Sequence, residues 1–216
     1  MVQKYPPAPA PRKRGRPRAF DPDVALAKAM ETFWTAGYAG TSLDDLSAAT
    51  GMNRPSLYAA FGDKKALYEK AYAHYRTASR AAMGDAFTRD CSLRDRLRLI
   101  FSRALDLYLS GDGARGCFSV VTAASEAVGD PDVARLVVGS IEDLDRVFAS
   151  LFTQGVATGE LSGTANVQQL AQLATATLHT LSVRSRAGFP RDRLEAVIEA
   201  AVGTIMGPAD PAPGLR

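Results

Sequence analysis

The sequence predicts an all-α protein in which a small domain of three helices precedes a larger helical domain. Apolar residues recur at every third or fourth position through most of the 216 residues, which is the spacing of one helix face. Asp, Ser and Asn residues stand before these periodic segments and glycines follow them, as caps do at the two ends of a helix. No convincing run alternates apolar and polar residues, so we expect no β-sheet.

The first predicted helix begins at Pro22, where Asp21 can cap it, and continues to about Ala36. Gly37 is expected to end the helix, because glycine tolerates the left-handed backbone of a C-terminal cap. The apolar side chains of this helix share one face, which we expect to lie in a core: Val24, Ala27, Ala29, Met30, Phe33 and Trp34.

Two short helices follow, joined by a tight turn. Ser42 and Asp45 have the spacing of a capping box at the start of the first helix, and Gly51 ends it. Asn53 can cap the second helix, and Met52 is expected to fill the apolar gap between the two. Two short helices joined by a glycine-containing turn form the helix-turn-helix layout.

Periodic segments continue to the end of the chain. They predict helices over about residues 64–83, 93–109, 117–128, 132–158, 166–187 and 191–206. We therefore expect four segments: a basic flexible arm at 1–19, a helix-turn-helix domain at 20–66, a larger helical domain at 67–207 and a disordered tail at 208–216.

The charge of the chain is unevenly distributed. Residues 1–18 carry six basic side chains and no acidic one, whereas the whole chain has a formal charge of only +3. Such an arm predicts an anionic partner, either nucleic acid or a membrane surface. Because prolines interrupt the arm and it has no apolar face, it cannot lie on a membrane as an amphipathic helix. A solvated tail that only adds solubility is the alternative.

Several classes of protein are excluded by the composition. No apolar run approaches the ~20 residues that span a bilayer, and the arm lacks the apolar core of a secretory signal. Two cysteines, Cys91 and Cys117, cannot form a disulfide framework or a four-ligand zinc site. No cluster of metal ligands and no hydrolase or phosphate-loop motif is present. We expect a cytoplasmic protein that is not an enzyme and holds no metal or cofactor.

One segment carries a specific resemblance. It contains Phe33-Trp34, Gly37-Tyr38, Thr41-Ser42, Leu46, Gly51-Met52-Asn53, Ser56-Leu57-Tyr58, Phe61-Gly62-Asp63-Lys64 and Leu67. In identity and spacing this set resembles the DNA-binding domain of the TetR/AcrR family over about residues 20–70. The resemblance implies that the first three helices bind double-stranded DNA and that the larger domain binds a small-molecule effector. It also implies a homodimer in which the last two helices, about 166–187 and 190–206, pair with those of a second subunit.

The third helix carries the candidate DNA contacts. Arg54 is the candidate for sequence recognition, since arginine can donate two hydrogen bonds to guanine in the major groove. Ser56 and Tyr58 are expected to contact phosphates. The alternatives are a solvated surface position for Arg54 and core packing for Tyr58.

Further phosphate contacts are expected at helix starts and in the arm. Thr41 and Ser42 stand where free N–H groups favour phosphate, and Lys64 matches the family's phosphate-contacting lysine. Residues 20–76 hold six basic and seven acidic side chains, so we expect the arm to supply much of the attraction for DNA. Its sequence Arg14-Gly15-Arg16-Pro17 resembles the core of an AT-hook, which enters a narrow minor groove. The candidate contacts in the arm are Arg12, Arg14, Arg16 and Arg18.

The larger domain holds the candidate effector site. Tyr108, Phe118, Phe148 and Phe152 can line a pocket between helices, although residues at helical spacing also form plain core. Cys117 follows Arg115-Gly116 at an expected helix start, where a nearby arginine favours the reactive thiolate. This short motif resembles that of family members that sense electrophiles; a buried, inert cysteine is the alternative.

The combined interpretation is a repressor that a small molecule, of unknown identity, releases from a palindromic operator. An electrophile that reacts at Cys117 is one candidate for that molecule. The sequence leaves open an activator of the same family. It also leaves an architectural protein that binds the A·T-rich minor groove, which would not explain the helix-turn-helix.

Overall fold

The computed structural model describes residues 20–111, 115–124 and 126–207. These residues form nine α-helices and a short 3₁₀ turn at Glu126–Val128, and they contain no strand. The helices are α1 Pro22–Gly40, α2 Leu43–Thr50, α3 Arg54–Phe61, α4 Lys64–Thr88, α5 Leu93–Tyr108, α6 Phe118–Ala123, α7 Pro131–Ala157, α8 Val167–Arg186 and α9 Arg191–Met206. The predicted all-α fold is confirmed. The predicted flexible arm and disordered tail lie outside the described residues.

The short helices are stabilised by the caps that the sequence predicts. The Ser42 backbone N–H donates to the Asp45 carboxylate at 2.8 Å, and the Asp45 N–H donates to the Ser42 hydroxyl at 3.1 Å, which completes the capping box. The Asn53 side chain accepts the Ser56 N–H at 2.9 Å. Gly51 has a left-handed backbone, with φ of 71°, at the turn between α2 and α3. Because each cap contributes about 1 kcal/mol, helices of eight residues can form here.

Two boundaries differ from the prediction. Gly37, with φ of 77°, kinks α1 but does not end it, since one more turn reaches Gly40. The single helix predicted over 117–128 is shorter, because the chain turns into α7 soon after Ala123. The N–H groups of Gly129 and Asp130 both donate to the Glu126 carbonyl at 3.0 Å, and this tight turn precedes α7.

The structure has two apolar cores, and α4 contributes to both. The first core joins α1, α2 and α3 to the beginning of α4, to α6 and to Val133 of α7, and Met52 fills the gap between α2 and α3 as predicted. The second core lies among α5, α7, α8 and α9 and includes Ala86 near the end of α4. The helix that follows the helix-turn-helix is therefore also a wall of the larger domain.

Polar contacts also connect α1 to the larger domain. The Trp34 indole N–H donates to the Gly116 carbonyl at 3.2 Å. The Arg186 guanidinium donates to the carbonyls of Trp34 and Thr35 at 3.1 and 2.9 Å. Arg115 forms an ion pair with Glu31 at 2.7 Å. A movement of residues 115–117, which precede α6, would therefore displace α1 directly.

Candidate nucleic-acid interface and internal cavity

Helix α3 divides into a buried and an exposed face. Leu57 and Phe61 are buried in the first core, so they fix the orientation of the helix. Arg54 lies on the surface, Ser56 is half-buried and Tyr58 is 47% exposed. The core-packing alternative for Tyr58 is therefore wrong, and its hydroxyl is free to meet a partner.

The Arg54 guanidinium is held by Asp44 of α2. Its Nε and Nη2 atoms donate to the two carboxylate oxygens at 3.0 and 2.7 Å. This hydrogen-bonded carboxylate raises the pKa of Arg54, which stays charged. Because both side chains are exposed, this ion pair adds little to the stability of the fold. It does fix the orientation of the planar Arg54 guanidinium at the surface. Asp44 is one of the seven acidic side chains counted in residues 20–76, and its contact with Arg54 was not predicted from the sequence.

The two predicted contacts at the start of α2 have different surroundings. Thr41 is only 1% exposed, and its hydroxyl donates to the Gly37 carbonyl at 2.7 Å. Its backbone N–H donates to the Tyr38 carbonyl, so Thr41 closes the α1 kink and is unavailable to phosphate. The prediction for Thr41 is corrected on this ground. Ser42 lies on the surface, with its hydroxyl hydrogen-bonded to Asp45.

The two lysines at the start of α4 contact different groups. The Lys64 ammonium lies 4.5 Å from the centre of the Tyr38 ring, and partial burial lowers its pKa. Lys65 instead forms ion pairs with Asp130, at 3.0 Å, and Asp132 at the start of α7. Lys65 thus joins the two domains, and Lys64 remains the candidate for phosphate. The predicted arm contacts, Arg12, Arg14, Arg16 and Arg18, lie outside the described residues.

A cavity of about 250 Å³ lies behind α4. Its walls come from α4, α5, α7 and α8 and from the segment that begins α6. Two of the predicted effector residues, Tyr108 and Cys117, line it. The larger apolar and polar residues that share the lining are Tyr75, Met83, Phe87, Leu107, Leu144, Val147 and Leu178, together with Ser79, Ser119 and Ser140.

Three of the aromatic residues predicted to line a pocket belong to the cores instead. Phe118 faces the first core, with its ring 5.8 Å from that of Trp34 and 5.3 Å from that of Tyr75. Phe148 and Phe152 stack on each other at 6.2 Å inside the second core. Helical spacing does not distinguish a wall of a cavity from a filled core, and these three predictions are corrected.

Cys117 sits among hydroxyl groups in the cavity. The Tyr75 hydroxyl donates to its sulfur at 3.3 Å, and its backbone N–H donates to the Ser182 hydroxyl at 2.6 Å. Burial raises the pKa values of both Tyr75 and Tyr108, so these phenols stay neutral. Arg115, expected beside the thiol, instead pairs with Glu31 and lies 5.3 Å from the Trp34 ring. Activation of the thiol by this arginine stays a prediction.

Charged residues gather at one side of the cavity. Asp143 of α7 accepts a hydrogen bond from Arg80 of α4 at 2.9 Å and forms ion pairs with Arg76 and Arg146. Arg76, Arg80 and Asp143 line the cavity. Sequence reasoning missed this cluster, because α4 and α7 lie far apart along the chain. The four-residue spacing of the two α4 arginines was its one visible sign.

Neither a membrane span nor a metal cluster is found in the described part of the chain. Within the ranges that the structure covers, no helix is long and apolar enough to cross a membrane. The same ranges bring no three His, Cys, Asp or Glu side chains together in a group that could hold a metal ion.

The fold and the exposed third helix define a helix-turn-helix regulator of transcription with a cavity in its larger domain. Residues 25–71 match the family model described as bacterial regulatory proteins, tetR family, and residues 94–201 match the tetracyclin repressor-like, C-terminal domain. The chain belongs to the TetR family of transcriptional regulators, which are not enzymes.

Individual relatives agree with this assignment. The chain is 31% identical over 185 residues to the HTH-type transcriptional repressor ComR of Escherichia coli (strain K12), covering 85% of this chain and 88% of that protein. It is 27% identical to the uncharacterized HTH-type transcriptional regulator YezE of Bacillus subtilis (strain 168), covering 88% and 99%. A solved structure of the TetR family regulator CifR, as a cysteine mutant complexed with 26-bp double-strand operator DNA, is 34% identical. That structure has a TM-score of 0.80 and covers 87% of this chain and 98% of its own.

Proposed function

We propose that the chain is a homodimeric repressor that leaves a palindromic operator when a small molecule enters the cavity. The observation that carries this proposal is the shared helix α4. This helix begins soon after α3 ends and lines the cavity with Tyr75. A ligand in the cavity would therefore press on the same rigid element that orients the recognition helix.

For the DNA face, we infer that Arg54 reads a base and that Ser42, Ser56, Tyr58 and Lys64 contact phosphates. Ser42 caps α2, Arg54, Ser56 and Tyr58 belong to α3, and Lys64 begins α4. The complex of the relative CifR with operator DNA supports this use of the domain. The arm would add minor-groove contacts, because it carries the charge that residues 20–76 lack.

A homodimer is supported by the outer faces of α8 and α9. Two apolar residues of α8, Leu173 and Val183, are 38% and 55% exposed. Around them lie exposed or half-exposed uncharged residues at helical spacing, namely Gln169, Gln172, Ala176, Ala196, Ala200 and Gly203. Small, uncharged faces on two adjacent helices allow a close four-helix contact with a second copy. Twofold symmetry then implies a palindromic operator.

The dimer has a simple test. Ala176→Glu and Ala200→Glu would each place a charge in the proposed interface, and sedimentation velocity should then show monomers. Val128→Glu is the matched control, since Val128 is 95% exposed and belongs to the 3₁₀ turn, which packs on α6 and α7. Dimers in all three variants would contradict this interface.

The path from the cavity to the DNA face is short. Tyr75, in the cavity wall, packs edge-on against Trp34 of α1 with ring centres 5.0 Å apart. Trp34 in turn donates to the Gly116 carbonyl beside Cys117. A ligand that displaces Tyr75 or Cys117 would thus shift α1, which packs on α4 and α2.

A test in cells is needed to distinguish repression of transcription from activation. An operator selected from random DNA is placed beside a reporter promoter, and the full chain is expressed with it. A repressor lowers reporter output, and a cavity ligand restores it. Higher output would favour the activator, and no change with uniform binding to A·T-rich DNA would favour the architectural protein.

A second candidate for the effector is an electrophile, because the Tyr75 hydroxyl donates to the Cys117 sulfur. That hydrogen bond, at 3.3 Å, holds the sulfur at the cavity wall that Cys117 lines. In the reaction, the thiol loses its proton to solvent and the sulfur adds to an activated alkene. An S–C bond forms, the π bond breaks and the adjacent carbon takes a proton.

Peptide mass spectrometry after stoichiometric N-ethylmaleimide tests this chemistry. Both cysteines are half-buried, so Cys91 is an internal control for access. Faster labelling of Cys117 than of Cys91 would support electrophile sensing. Equal or slower labelling would direct the search to reversible ligands.

A further inference from the structure

We propose that the cavity binds a small apolar carboxylate, whose carboxylate group takes over Arg76 and Arg80 from Asp143. This inference rests on the proposed function in one respect, namely that the cavity is the effector site. It adds the chemical class of the ligand, which the cluster of charged side chains defines.

The cluster has more positive than negative charge. Arg76, Arg80 and Arg146 all use the Asp143 carboxylate, and within the described ranges none of these arginines has a second carboxylate partner. Each guanidinium has five N–H donors, whereas one carboxylate offers two oxygens. Arg76 and Arg80 even share the same oxygen, Oδ2. Donors and positive charge therefore remain for a second carboxylate.

The cluster lies beside an apolar wall. Arg76, Arg80 and Asp143 line the same cavity as Met83, Phe87, Leu144, Val147 and Leu178. The Arg76 and Asp143 side chains are about three-quarters buried, so their ion pair is less screened than one in open solvent. The Arg80 side chain is 68% exposed and lies where the cavity opens to solvent. A ligand that satisfies both surfaces has an anionic end and a short apolar body.

A second polar group lies between the two arginines. The Ser79 hydroxyl oxygen is buried and has no hydrogen bond of good geometry among the described residues, although it is near enough to the Tyr75 hydroxyl to lower that group's pKa. Ser79 lies on α4 between Arg76 and Arg80 and lines the cavity. Its hydroxyl can donate to a carboxylate held by the two arginines, which satisfies a buried polar group.

The size of the cavity limits the ligand. Its volume of about 250 Å³ is below the roughly 300–1,000 Å³ of pockets for drug-sized ligands. A short-chain carboxylate fits this space better than a long acyl chain. Because Tyr75 and Tyr108 stay neutral, their part of the cavity wall adds no negative charge that would repel a carboxylate.

Binding of the carboxylate would separate two helices. Arg76 and Arg80 belong to α4, whereas Asp143 belongs to α7, so their ion pairs connect the two. A ligand that replaces Asp143 cuts this connection. Since α4 leads directly from α3, the same event offers a route to DNA release.

The experiment is calorimetric titration of the full-length protein with butanoate, hexanoate and octanoate. Hexanamide, uncharged and of the same shape as hexanoate, is the control ligand. We expect hexanoate to bind about tenfold more tightly than hexanamide, because charge-assisted bidentate hydrogen bonds are the stronger ones. Arg80→Gln should remove this preference, whereas Arg146→Gln should retain it, since Arg146 does not line the cavity.

The Asp143→Asn variant tests most directly whether the ligand competes with Asp143 for the arginines. If the ligand competes with Asp143, this variant binds hexanoate more tightly, again by about tenfold. Circular dichroism and sedimentation verify its fold. Equal affinity for hexanoate and hexanamide, no binding of any of the three carboxylates, or weaker hexanoate binding by a folded Asp143→Asn variant would overturn the inference.

Anisotropy of the labelled operator separates this inference from the proposed function. If hexanoate binds and the DNA stays bound, the carboxylate site stands and release by this cavity fails. If a neutral compound releases the DNA and no carboxylate binds, release stands and the carboxylate inference fails.

Discussion

Helix α3 and the cavity behind α4 are assembled over very different distances along the chain. The contacts that shape α3 are local: Asn53 caps Ser56, and Asp44 holds Arg54 ten residues away. The cavity instead brings Arg76 to Asp143, and Cys117 to Ser182, 65 residues away. Because the exposed face of α3 depends on local contacts, single residues on it can be substituted without repacking a core. Changes in the cavity wall disturb the packing of several helices, so ligand and operator preferences are expected to vary separately.

The largest expected effect tests this difference through stability. Phe118→Ala removes a buried ring packed on Trp34, Tyr68 and Tyr75, and should lower the free energy of unfolding by about 3–5 kcal/mol. Tyr58→Ala, on the exposed face of α3, should change it by less than about 0.5 kcal/mol. Urea denaturation at one protein concentration measures both. Similar losses would mean that α3 is not the independent surface described above.

A smaller effect is expected from removing the basic arm. Deletion of residues 1–18 takes away six positive charges and should weaken operator binding by about a hundredfold at low salt. The salt dependence should flatten too, since its slope changes by about 0.9 for each phosphate that the protein no longer neutralises. Deletion of 208–216, which removes one basic and one acidic side chain, is the control. An unchanged slope would show that the arm does not contact DNA.

Arg54→Ala tests the face of α3 itself. The loss of two hydrogen bonds to one base should weaken operator binding by about 1–3 kcal/mol, as measured by fluorescence anisotropy. The matched control is Arg98→Ala, because Arg98 of α5 also donates two hydrogen bonds to one carboxylate, that of Glu199 of α9, at 2.6 and 2.8 Å. Weaker binding in both variants would point to net charge instead of base contact.

The smallest effect concerns the ion pairs between the domains. Lys65 lowers the pKa values of Asp130 and Asp132 in the folded protein, so these carboxylates stabilise the fold while ionised. This stabilisation is present above the ordinary carboxyl pKa and is lost as the pH falls below about 4. Lys65→Met should therefore flatten the acid side of the stability curve, whereas Lys28→Met, at an exposed lysine of α1, should leave it unchanged. The midpoint of thermal unfolding, measured from about pH 3 to about pH 7, tests this prediction.

The same contrast explains what could be predicted from the sequence. The capping box at Ser42 and Asp45, the Asn53 cap and the Gly51 turn depend on neighbours within a few residues, so the pattern was sufficient. Thr41 was mispredicted because a helix start says nothing about burial, and the kink at Gly37 encloses its hydroxyl.

The cavity could be predicted only in part. Tyr108 and Cys117 line it, but Phe118, Phe148 and Phe152 have the same periodic spacing and lie in filled cores. Which of two apolar faces meets a void depends on how α4, α7 and α8 cross, and crossing angles are set by packing over the whole domain. The Asp143 cluster was missed for the same reason.

The most direct test of the account is selection of binding sites from random double-stranded DNA with the full-length protein. A dimer with α3 in the major groove should enrich two inverted half-sites, related by twofold symmetry and spaced by about one helical turn. Selection with Arg54→Ala should then lose the preference at one base pair in each half-site. Enrichment of A·T-rich DNA without symmetry, or the same motif with and without Arg54, would contradict the account.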